Sequence, residues 1–343
     1  WFGFSLSLSD DGTILAIGAY LNDVNGDKSG QVKVYEYSNS TWAQLGSDIN
    51  GEAANDYSGT SISISSDGSI VAIGARGNTY GAGHVRVYEF SNGSWTQLGN
   101  DIDGESGDDN SGRSVSLSST GTILAVGADM NNGNGNNSGH VRVYEFSNGS
   151  WTQLGSDIDG EPGDNLGYSV SLSDDGFTVA IGAIENYGST GHSGVYGYSN
   201  GTWIQLGSDI DGEASVDQSG WAVSLSSDGT ILAIGAIEND GNGNNSGHVR
   251  IYELDSNSTF IEQNFENPVF TYPNPNSGLF SIQVDQEQIG SSYQILDNLG
   301  RLIDKGIIRE LSQDFDLSDK PKGVYRIQVS NDKAIKTSNV VIQ

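Results

Sequence analysis

Several residue types are scarce or missing in this sequence, and each absence narrows the possible chemistry. There is no cysteine, which excludes disulfide bonds, thiolate metal sites and a cysteine nucleophile. No apolar run approaches the roughly 20 residues that a membrane-spanning helix needs. Only 15 lysine and arginine residues stand against 44 aspartate and glutamate residues, and such an acidic chain repels phosphates. We therefore expect no nucleic-acid partner and no membrane span.

The acidic charge lies almost entirely in the first three quarters of the chain. Residues 1–254 contain 7 basic and 32 acidic side chains, and the remainder carries a net charge of −4. Hydrophobic residues make up 35% of the sequence, a share low enough to suggest disorder. The apolar positions nevertheless recur in a strict order, which favours a folded repeat protein.

One short block is present five times. Its copies read ILAIGA at 14–19, IVAIGA at 70–75, ILAVGA at 123–128, TVAIGA at 178–183 and ILAIGA at 231–236. Their closing alanines are spaced by 56, 53, 55 and 53 residues. We number the units that contain them repeats 1 to 5, at about residues 1–52, 53–105, 106–161, 162–213 and 214–264.

Each unit contains four strand-like runs. In repeat 3 they are SVSLS, ILAVGA, HVRVYEF and SWTQLG, with apolar residues at every second position. Asp-Gly pairs between the first two runs and Asn-Gly pairs between the last two are typical of tight hairpins. Four antiparallel strands repeated at about 50 residues predict an all-β fold, a β-propeller of five four-stranded blades.

Two features of the architecture follow from this pattern. Propellers have about four to eight blades, so five units either close one ring or belong to a larger ring, and we expect the larger ring. Residues 265–343 form a second domain after the propeller at 1–264. Alternating apolar residues there, at Phe280, Ile282 and Val284 and again from Tyr325, predict a small Ig-like β-sandwich.

The first unit also carries a family resemblance. Its sequence FGFSLSLSDDGTILAIGA resembles FG-GAP repeats, which form the blades of integrin-alpha-like propellers, and the resemblance covers residues 1–254. In integrin-type repeats an extended, aspartate-rich calcium loop joins strands one and two. Here this connection has shrunk to SDDG or SSDG, so the calcium ligands of the family have no matching positions.

The C-terminal segment resembles a different family, the sorting domain of type IX secretion substrates. Four motifs carry this resemblance: VFTYPNPNSGLFSIQV at 269–284, YQILDNLGRLIDKG at 293–306, KGVYRIQV at 322–329 and KTSNVVIQ at 336–343. The resemblance implies export through the type IX secretion machinery of a Gram-negative bacterium. The protein would be secreted or displayed on the outer-membrane surface, with this domain cleaved off or used as an anchor.

Two long loops have the spacing of oxygen-bearing residues with which short loops bind hard cations. The candidate ligands are Asp23, Asn25 and Asp27 in one loop and Asp240, Asn242 and Asn244 in the other. They make calcium a candidate cofactor. The alternative is that aspartate, asparagine and glycine simply form solvated turns.

A second set of candidates consists of residues that do not repeat. Trp1, Arg113, Tyr168 and Trp221 stand at the starts of first strands and differ from unit to unit, so they are our candidate ligand-binding residues. Three other groups occur about once per unit, which favours structural roles. They are the histidines 84, 140, 192 and 248, the tryptophans 42, 95, 151 and 203, and the basic column Lys33, Arg86, Arg142 and Arg250.

This repetition also bears on function. Catalysis needs different groups that converge with separate protonation roles, whereas nearly every candidate group here is repeated. We therefore expect a protein that is not an enzyme: a binding or adhesion module whose acidic loops engage a protein or polysaccharide at the cell surface. The alternative is an accessory propeller of a larger secreted hydrolase or lyase.

Overall fold

The computed structural model describes residues 1–254, 260–263, 270–284, 286–297, 300–330 and 335–343. Almost every described element is a β-strand, so the predicted all-β class is confirmed. The chain divides into two compact units, Trp1–Gln263 and Asn264–Gln343. Within the described ranges, no helix is long and apolar enough to cross a membrane.

Each repeat forms one antiparallel sheet in which the four long strands lie in chain order. Repeat 1 contains β1 (Leu6–Leu8), β2 (Ile14–Gly18), β3 (Gln31–Ser38), β4 (Thr41–Gln44) and β5 (Ile49–Asn50), and repeat 2 contains β6 (Ser61–Ile64), β7 (Ile70–Ala75), β8 (His84–Ser91), β9 (Ser94–Gln97) and β10 (Ile102–Asp103). Repeat 3 contains β11 (Ser114–Leu117), β12 (Ile123–Ala128), β13 (His140–Ser147), β14 (Ser150–Gln153) and β15 (Ile158–Asp159).

The last two repeats continue this pattern. Repeat 4 contains β16 (Leu166–Leu172), β17 (Thr178–Ala183), β18 (His192–Ser199), β19 (Thr202–Gln205) and β20 (Ile210–Asp211), and repeat 5 contains β21 (Ser219–Leu225), β22 (Ile231–Ala236), β23 (His248–Leu254) and β24 (Phe260–Gln263). The two-residue fifth strand of repeats 1 to 4 pairs with the start of the third strand, an element absent from the sequence-based prediction. One-turn helices α1 (Asn78–Gly81) and α2 (Asn186–Ser189) interrupt two of the long loops.

The hairpin between strands three and four has the turn that its sequence predicts. In repeat 2, Asn92 and Gly93 have φ angles of 51° and 83°. Two successive positive φ angles define a type I′ turn, whose twist matches that of paired strands. Asn-Gly is favoured there because asparagine tolerates this conformation and glycine adopts it freely.

Consecutive sheets approach each other very closely at the glycine of the repeated GA pair. A Cβ atom added to Gly127 of repeat 3 would lie 2.1 Å from the carbonyl oxygen of Gly167 in repeat 4. Beside this point the Ser114 hydroxyl donates to the same carbonyl at 2.8 Å. The contact recurs between the other repeats, where Ser5, Ser61 and Ser169 are the donors. The sheets pack at this distance because these positions hold only glycine and a small hydroxyl residue.

Apolar side chains fill the space around each of these contacts. Between repeats 3 and 4, Val141 and Val143 pack with Val179 and Ile181. The outer faces of the first and fifth sheets lack this cover: Leu6 is 60% and Val249 is 66% exposed. Among the described residues, therefore, the first and fifth sheets do not close on each other. The larger ring stays a prediction.

The C-terminal unit contains two antiparallel sheets with one shared core. One sheet has the order β25 (Phe270–Tyr272), β26 (Leu279–Gln283), β29 (Ser312–Asp316), and the other has the order β28 (Leu302–Ile307), β27 (Ser292–Leu296), β30 (Gly323–Ser330), β31 (Ile335–Ile342). A 3₁₀ turn spans Gln286–Gln288. Phe280 and Ile282 of the first sheet pack with Ile295, Ile327 and Val340 of the second. The Ig-like classification of this unit stays a prediction.

The close approach of the sheets yields a stability prediction with a matched control. Gly127→Ala should lower the free energy of unfolding by about 1–3 kcal/mol, because its methyl group meets the backbone of the next repeat. Gly235→Ala changes the same position of repeat 5, where the nearest atom is 3.7 Å away, and should leave stability unchanged or slightly higher. Urea unfolding of both variants tests this, and equal losses would contradict it.

Candidate binding face

The long loops of the repeats lie together at one end of the sheets. The Gly18 N–H donates to the Ser5 carbonyl, so the end of strand two lies beside the start of strand one. The loop that follows strand two contacts the connection to the next repeat: Asn55 N–H donates to the Asp27 carbonyl at 2.8 Å. We call this end the loop face. It comprises the loops between strands two and three and the connections between repeats.

Several polar groups of the predicted calcium loops form hydrogen bonds within the same loop. Asp23 Oδ1 accepts the Lys28 N–H at 2.8 Å, and Asp240 Oδ1 accepts the Asn245 N–H at 2.7 Å. In repeat 3 the neutral Asn132 accepts the Asn137 N–H in the same way. The fold of the loop therefore needs no carboxylate at this position.

The other predicted ligands of these loops also have structural partners or lie at the surface. The Asn25 amide donates to the Gly51 carbonyl at 2.7 Å, and Asp27 pairs with Lys28 at 3.7 Å. Asn242 and Asn244 are exposed. Several of the predicted ligands thus already have partners within the chain, and calcium binding stays a prediction.

Several carboxylates of the loop face stabilise the connections between repeats. Asp164 is buried and accepts the Glu161 N–H at 2.7 Å and the Asn186 amide at 3.0 Å. Asp56, Asp109 and Asp217 hold the equivalent turns in the other connections. These carboxylates satisfy backbone groups inside the connection, so they are poorly placed to bind an external ligand.

The basic column links the repeats. Arg142 donates two hydrogen bonds to Asp157, at 2.9 and 2.7 Å, and pairs with Glu105 from the preceding connection. Arg86 donates to the Asn50 carbonyl, and Arg250 to the Asp211 carbonyl, each in the preceding repeat. Repeat 4 has Gly194 at this position. Lys33 of repeat 1 pairs with Asp48 of its own repeat at 3.3 Å. The three arginines therefore contact the preceding repeats at separate places and do not form one shared site.

The four histidines stay apart, one at the start of each third strand in repeats 2 to 5. His84 and His140 are buried, and their Nδ1 atoms lie 3.9 and 3.8 Å from Asp101 and Asp157. Burial, followed by the neighbouring arginine, lowers the pKa of both imidazoles, and the nearby carboxylates oppose this shift. Both side chains are thus held mainly neutral inside the repeat contacts.

The repeated tryptophans also connect neighbouring sheets. Trp95, Trp151 and Trp203 donate their indole N–H to the carbonyls of Leu45, Leu98 and Leu154 in the preceding repeat, at 2.8–2.9 Å. Each ring packs against an aromatic residue of the third strand of its own repeat. This packing agrees with the structural role that their repetition predicts.

Three of the four unrepeated candidates are in contact. The Arg113 guanidinium carbon lies 3.9 Å from the centre of the Tyr168 ring, and the rings of Tyr168 and Trp221 are 4.9 Å apart. These residues come from repeats 3, 4 and 5. Trp1 lies apart from them and faces Tyr20, with ring centres 6.3 Å apart. Its predicted place at the start of the first strand is wrong: Phe4 corresponds to Arg113, because Ser5, like Ser114, donates to a glycine carbonyl of the next repeat.

Two further residues extend this group, and the sequence analysis missed both. Arg76 and Asp129 directly follow the GA pairs of repeats 2 and 3, a position that also varies between repeats. Asp129 lies 3.5 Å from Arg113 and accepts a hydrogen bond from Asn110. We call Arg76, Asp129, Arg113, Tyr168 and Trp221 the variable row.

The charges of the variable row are unusual for a loop face. Asp129 is only 3% exposed, and burial raises its pKa although Arg113 and Arg76 oppose this shift. Burial also raises the pKa of Tyr168. Two guanidinium groups thus accompany one buried carboxylate, beside an aromatic pair whose outer member, Trp221, is 37% exposed.

The buried histidines predict how stability depends on pH. An unfolded histidine has a pKa of about 6.5, and the folded pKa of His84 and His140 is lower, so the unfolded chain binds more protons below that pH. The contribution of these two neutral histidines to stability should therefore be fully present above about pH 6.5, and it should be lost as the pH falls below this value. The double change His84→Gln and His140→Gln introduces the residue that repeat 1 has as Gln31, and it should reduce the difference in melting temperature between pH 7.5 and 5.5. An unchanged difference would refute the assignment.

Comparison with known families finds one matching segment in each of the two units. Residues 271–343 match the family described as "Secretion system C-terminal sorting domain", and residues 209–252 match the FG-GAP repeat family. A comparison with curated proteins finds no match. The sorting domain implies an interaction with the type IX secretion machinery.

Similar solved structures include a putative 6-phosphogluconolactonase from Bacteroides uniformis, with a TM-score of 0.54 and 13% identity over 91% of this chain and 88% of that one. Another is hydrazine synthase from Kuenenia stuttgartiensis, with a TM-score of 0.51 and 13% identity over 99% of this chain and 96% of that one. At such identity the likeness concerns the fold alone, and it agrees with a propeller. The chain is a β-propeller protein with an FG-GAP repeat and a type IX secretion sorting domain, and it is secreted or displayed on the outer-membrane surface of a Gram-negative bacterium.

Proposed function

We propose that this exported propeller is a non-catalytic binding module and that its loop face is the interaction surface. The ligand is a protein or polysaccharide at the cell surface. Export supports this role, because a protein placed outside the cell meets such ligands directly.

The variable row is the observation that carries the proposal. The repeated residues of this domain are engaged in hairpins, in connections or in contacts between sheets. Several residues that differ from repeat to repeat meet on the loop face, where Arg113, Tyr168 and Trp221 of three repeats contact one another in a row. Aromatic and arginine side chains are the types most enriched in binding hot spots. A surface that combines them with open loops suits ligand binding.

The arrangement of ionisable groups supports a role without catalysis. General acid–base chemistry needs a proton donor and acceptor within reach of one substrate. The histidines here are on separate sheets, and His84 and His140 are buried in structural contacts. Asp129, the buried acid of the variable row, is paired with Arg113.

The proposal predicts a loss of binding when the aromatic pair is removed. The full chain should bind at least one member of a panel of immobilised polysaccharides and glycoproteins, measured by biolayer interferometry. The double variant Tyr168→Ala and Trp221→Ala should weaken this binding at least about tenfold, since stacking on an aromatic ring is worth roughly 1 kcal/mol or more per ring.

A control variant separates this effect from a general loss of surface aromatics. Phe177→Ala removes a partly exposed ring at the tight hairpins, which lie at the opposite end of the sheets from the loop face, and it should bind like the parent chain. Equal binding by the double variant and the parent would contradict the proposed surface. Conversion of a bound polysaccharide into shorter products would contradict the non-catalytic role.

A further inference from the structure

The basic column is interrupted in repeat 4. Repeats 2, 3 and 5 have Arg86, Arg142 and Arg250 two residues after the histidine that starts the third strand, whereas repeat 4 has Gly194 there. No lysine or arginine occurs in the sequence between Arg142 and Arg250. The contact between repeats 3 and 4 therefore lacks the arginine that the contacts on either side of it contain.

The two carboxylates that hold this arginine in repeat 3 both have counterparts in repeat 4. Arg142 donates two hydrogen bonds to Asp157 of its own repeat and pairs with Glu105 of the preceding connection. The corresponding residues for repeat 4 are Asp209 and Glu161. Repeat 4 thus keeps the acceptors of a guanidinium that its own chain does not supply. We call the place between these two carboxylates the arginine gap.

Both carboxylates of the arginine gap are open to solvent. Glu161 and Asp209 are exposed, whereas Asp157 beside its arginine is only 26% exposed. The Nδ1 atom of His192 is buried and has no hydrogen-bond partner within the described chain, although the same atom lies 3.9 and 3.8 Å from the aspartate in repeats 2 and 3. Asp209 is therefore not held by its histidine, and its Oδ1 accepts from Gln205.

The width of the gap distinguishes a guanidinium from a metal ion. In repeats 2 and 3 the histidine, aspartate and glutamate of this contact offer ligand atoms within 4.8 Å of one another. In the described part of repeat 4 the corresponding three residues form no such group. A metal ion needs its ligands at about 2.0–2.6 Å, so the wider gap suits the larger guanidinium.

A tyrosine ring lies beside the gap. A Cβ atom added to Gly194 would lie 2.9 Å from the ring of Tyr196, so this ring covers the place where the arginine side chain begins in the other repeats. The equivalent ring of Tyr88 lies 5.6 Å from the guanidinium carbon of Arg86, within the range of a cation–π contact. Tyr196 offers the same kind of ring to a guanidinium that enters from outside.

The charges around the gap favour a cation. Burial, followed by the charges of Asp209 and Asp164, raises the pKa of Tyr196 to about 12. Asp211 adds a further carboxylate, opposite the buried His192 on the neighbouring strand. Because the acidic side chains here have no arginine or lysine among them, the gap attracts a positively charged group and repels an anionic one.

We propose that the arginine gap binds the guanidinium of an arginine side chain presented by a partner protein, with Asp209 and Glu161 as acceptors and Tyr196 against the guanidinium. Arg142 shows the geometry that such a ligand would adopt, since it meets the equivalent carboxylates from a folded backbone. A guanidinium suits paired carboxylates because its donors form a flat fork. The gap shares no residue with the variable row, and binding there does not depend on that surface.

An NMR titration of the isotope-labelled full chain tests the proposal. The probe is Nα-acetyl-arginine methylamide, whose only charge is its guanidinium, and the backbone amide signals of Gly194 and Asp209 should shift as it binds. Nα-acetyl-lysine methylamide should bind at least about threefold more weakly at the same ionic strength, because an ammonium lacks the fork geometry. Added sodium chloride should weaken the binding of both probes.

Two sets of variants assign the binding to the gap. Gly194→Arg supplies the missing guanidinium from within the chain and should abolish binding of the probe. The double variant Glu161→Gln and Asp209→Asn should keep the melting temperature of the parent and weaken binding at least about tenfold, because charge-assisted hydrogen bonds are the stronger kind. The control, Asp10→Asn with Glu36→Gln, removes two exposed acids of repeat 1 and should bind like the parent.

Each of the other outcomes overturns the inference. Equal affinity of the double variant and the parent places the probe elsewhere, and equal affinity for the two probes contradicts guanidinium recognition. A metal site would replace the arginine gap if calcium chloride shifted the same amide signals at lower concentrations than the probe. Tighter binding of free L-arginine than of the blocked probe would contradict a protein as the source. The panel experiment on Tyr168 and Trp221 tests the variable row separately.

Discussion

The close approach of backbones at the GA glycines determines how the repeat domain is built. At Gly127 the sheet of repeat 3 comes so near to Gly167 of repeat 4 that no side chain fits between them. This spacing brings the serine hydroxyl, the tryptophan indole and the arginine of one repeat within hydrogen-bond reach of carbonyls in a neighbouring one. A wider spacing would break all of these contacts together.

The same spacing separates structural from variable positions. A residue that touches the next sheet must satisfy that contact in every repeat, and it is therefore repeated. A residue directly after the GA pair or at the start of strand one lies at the loop face, where no contact that recurs in every repeat restricts its side chain. Arg76 and Asp129 occupy the first kind of variable position, and Arg113, Tyr168 and Trp221 the second. Variation along an otherwise regular chain is thus a physical signal of the binding surface.

Much of the fold can be predicted from the sequence, because the alternation of apolar residues and the residues that form tight turns are visible within a few positions of the chain. The four long strands of each repeat and the Asn-Gly turns are where the sequence predicts them. The short strand Ile158–Asp159 is missing from the prediction because two residues are too few to show alternation. The contact of Tyr168 with Trp221 joins residues from different repeats, so it depends on sheet packing and not on any local pattern. In the cation loops, Asn132 accepts the same loop-closing hydrogen bond as Asp23 without a charge, so the loop sequence alone does not distinguish a cation ligand from a turn residue.

The regular spacing has an evolutionary consequence. The residue at the start of the first strand differs from sheet to sheet: it is Phe4 in repeat 1, the buried Thr60 in repeat 2, and Arg113, Tyr168 and Trp221 in repeats 3 to 5. Exchanging one of these side chains changes the chemistry offered to a ligand, whereas the serine–carbonyl hydrogen bonds between the sheets do not depend on it. Duplication of a repeat would add one more such side chain without changing the contacts between the existing sheets. Such a scaffold can acquire new specificities through single substitutions, at little risk to its ability to fold.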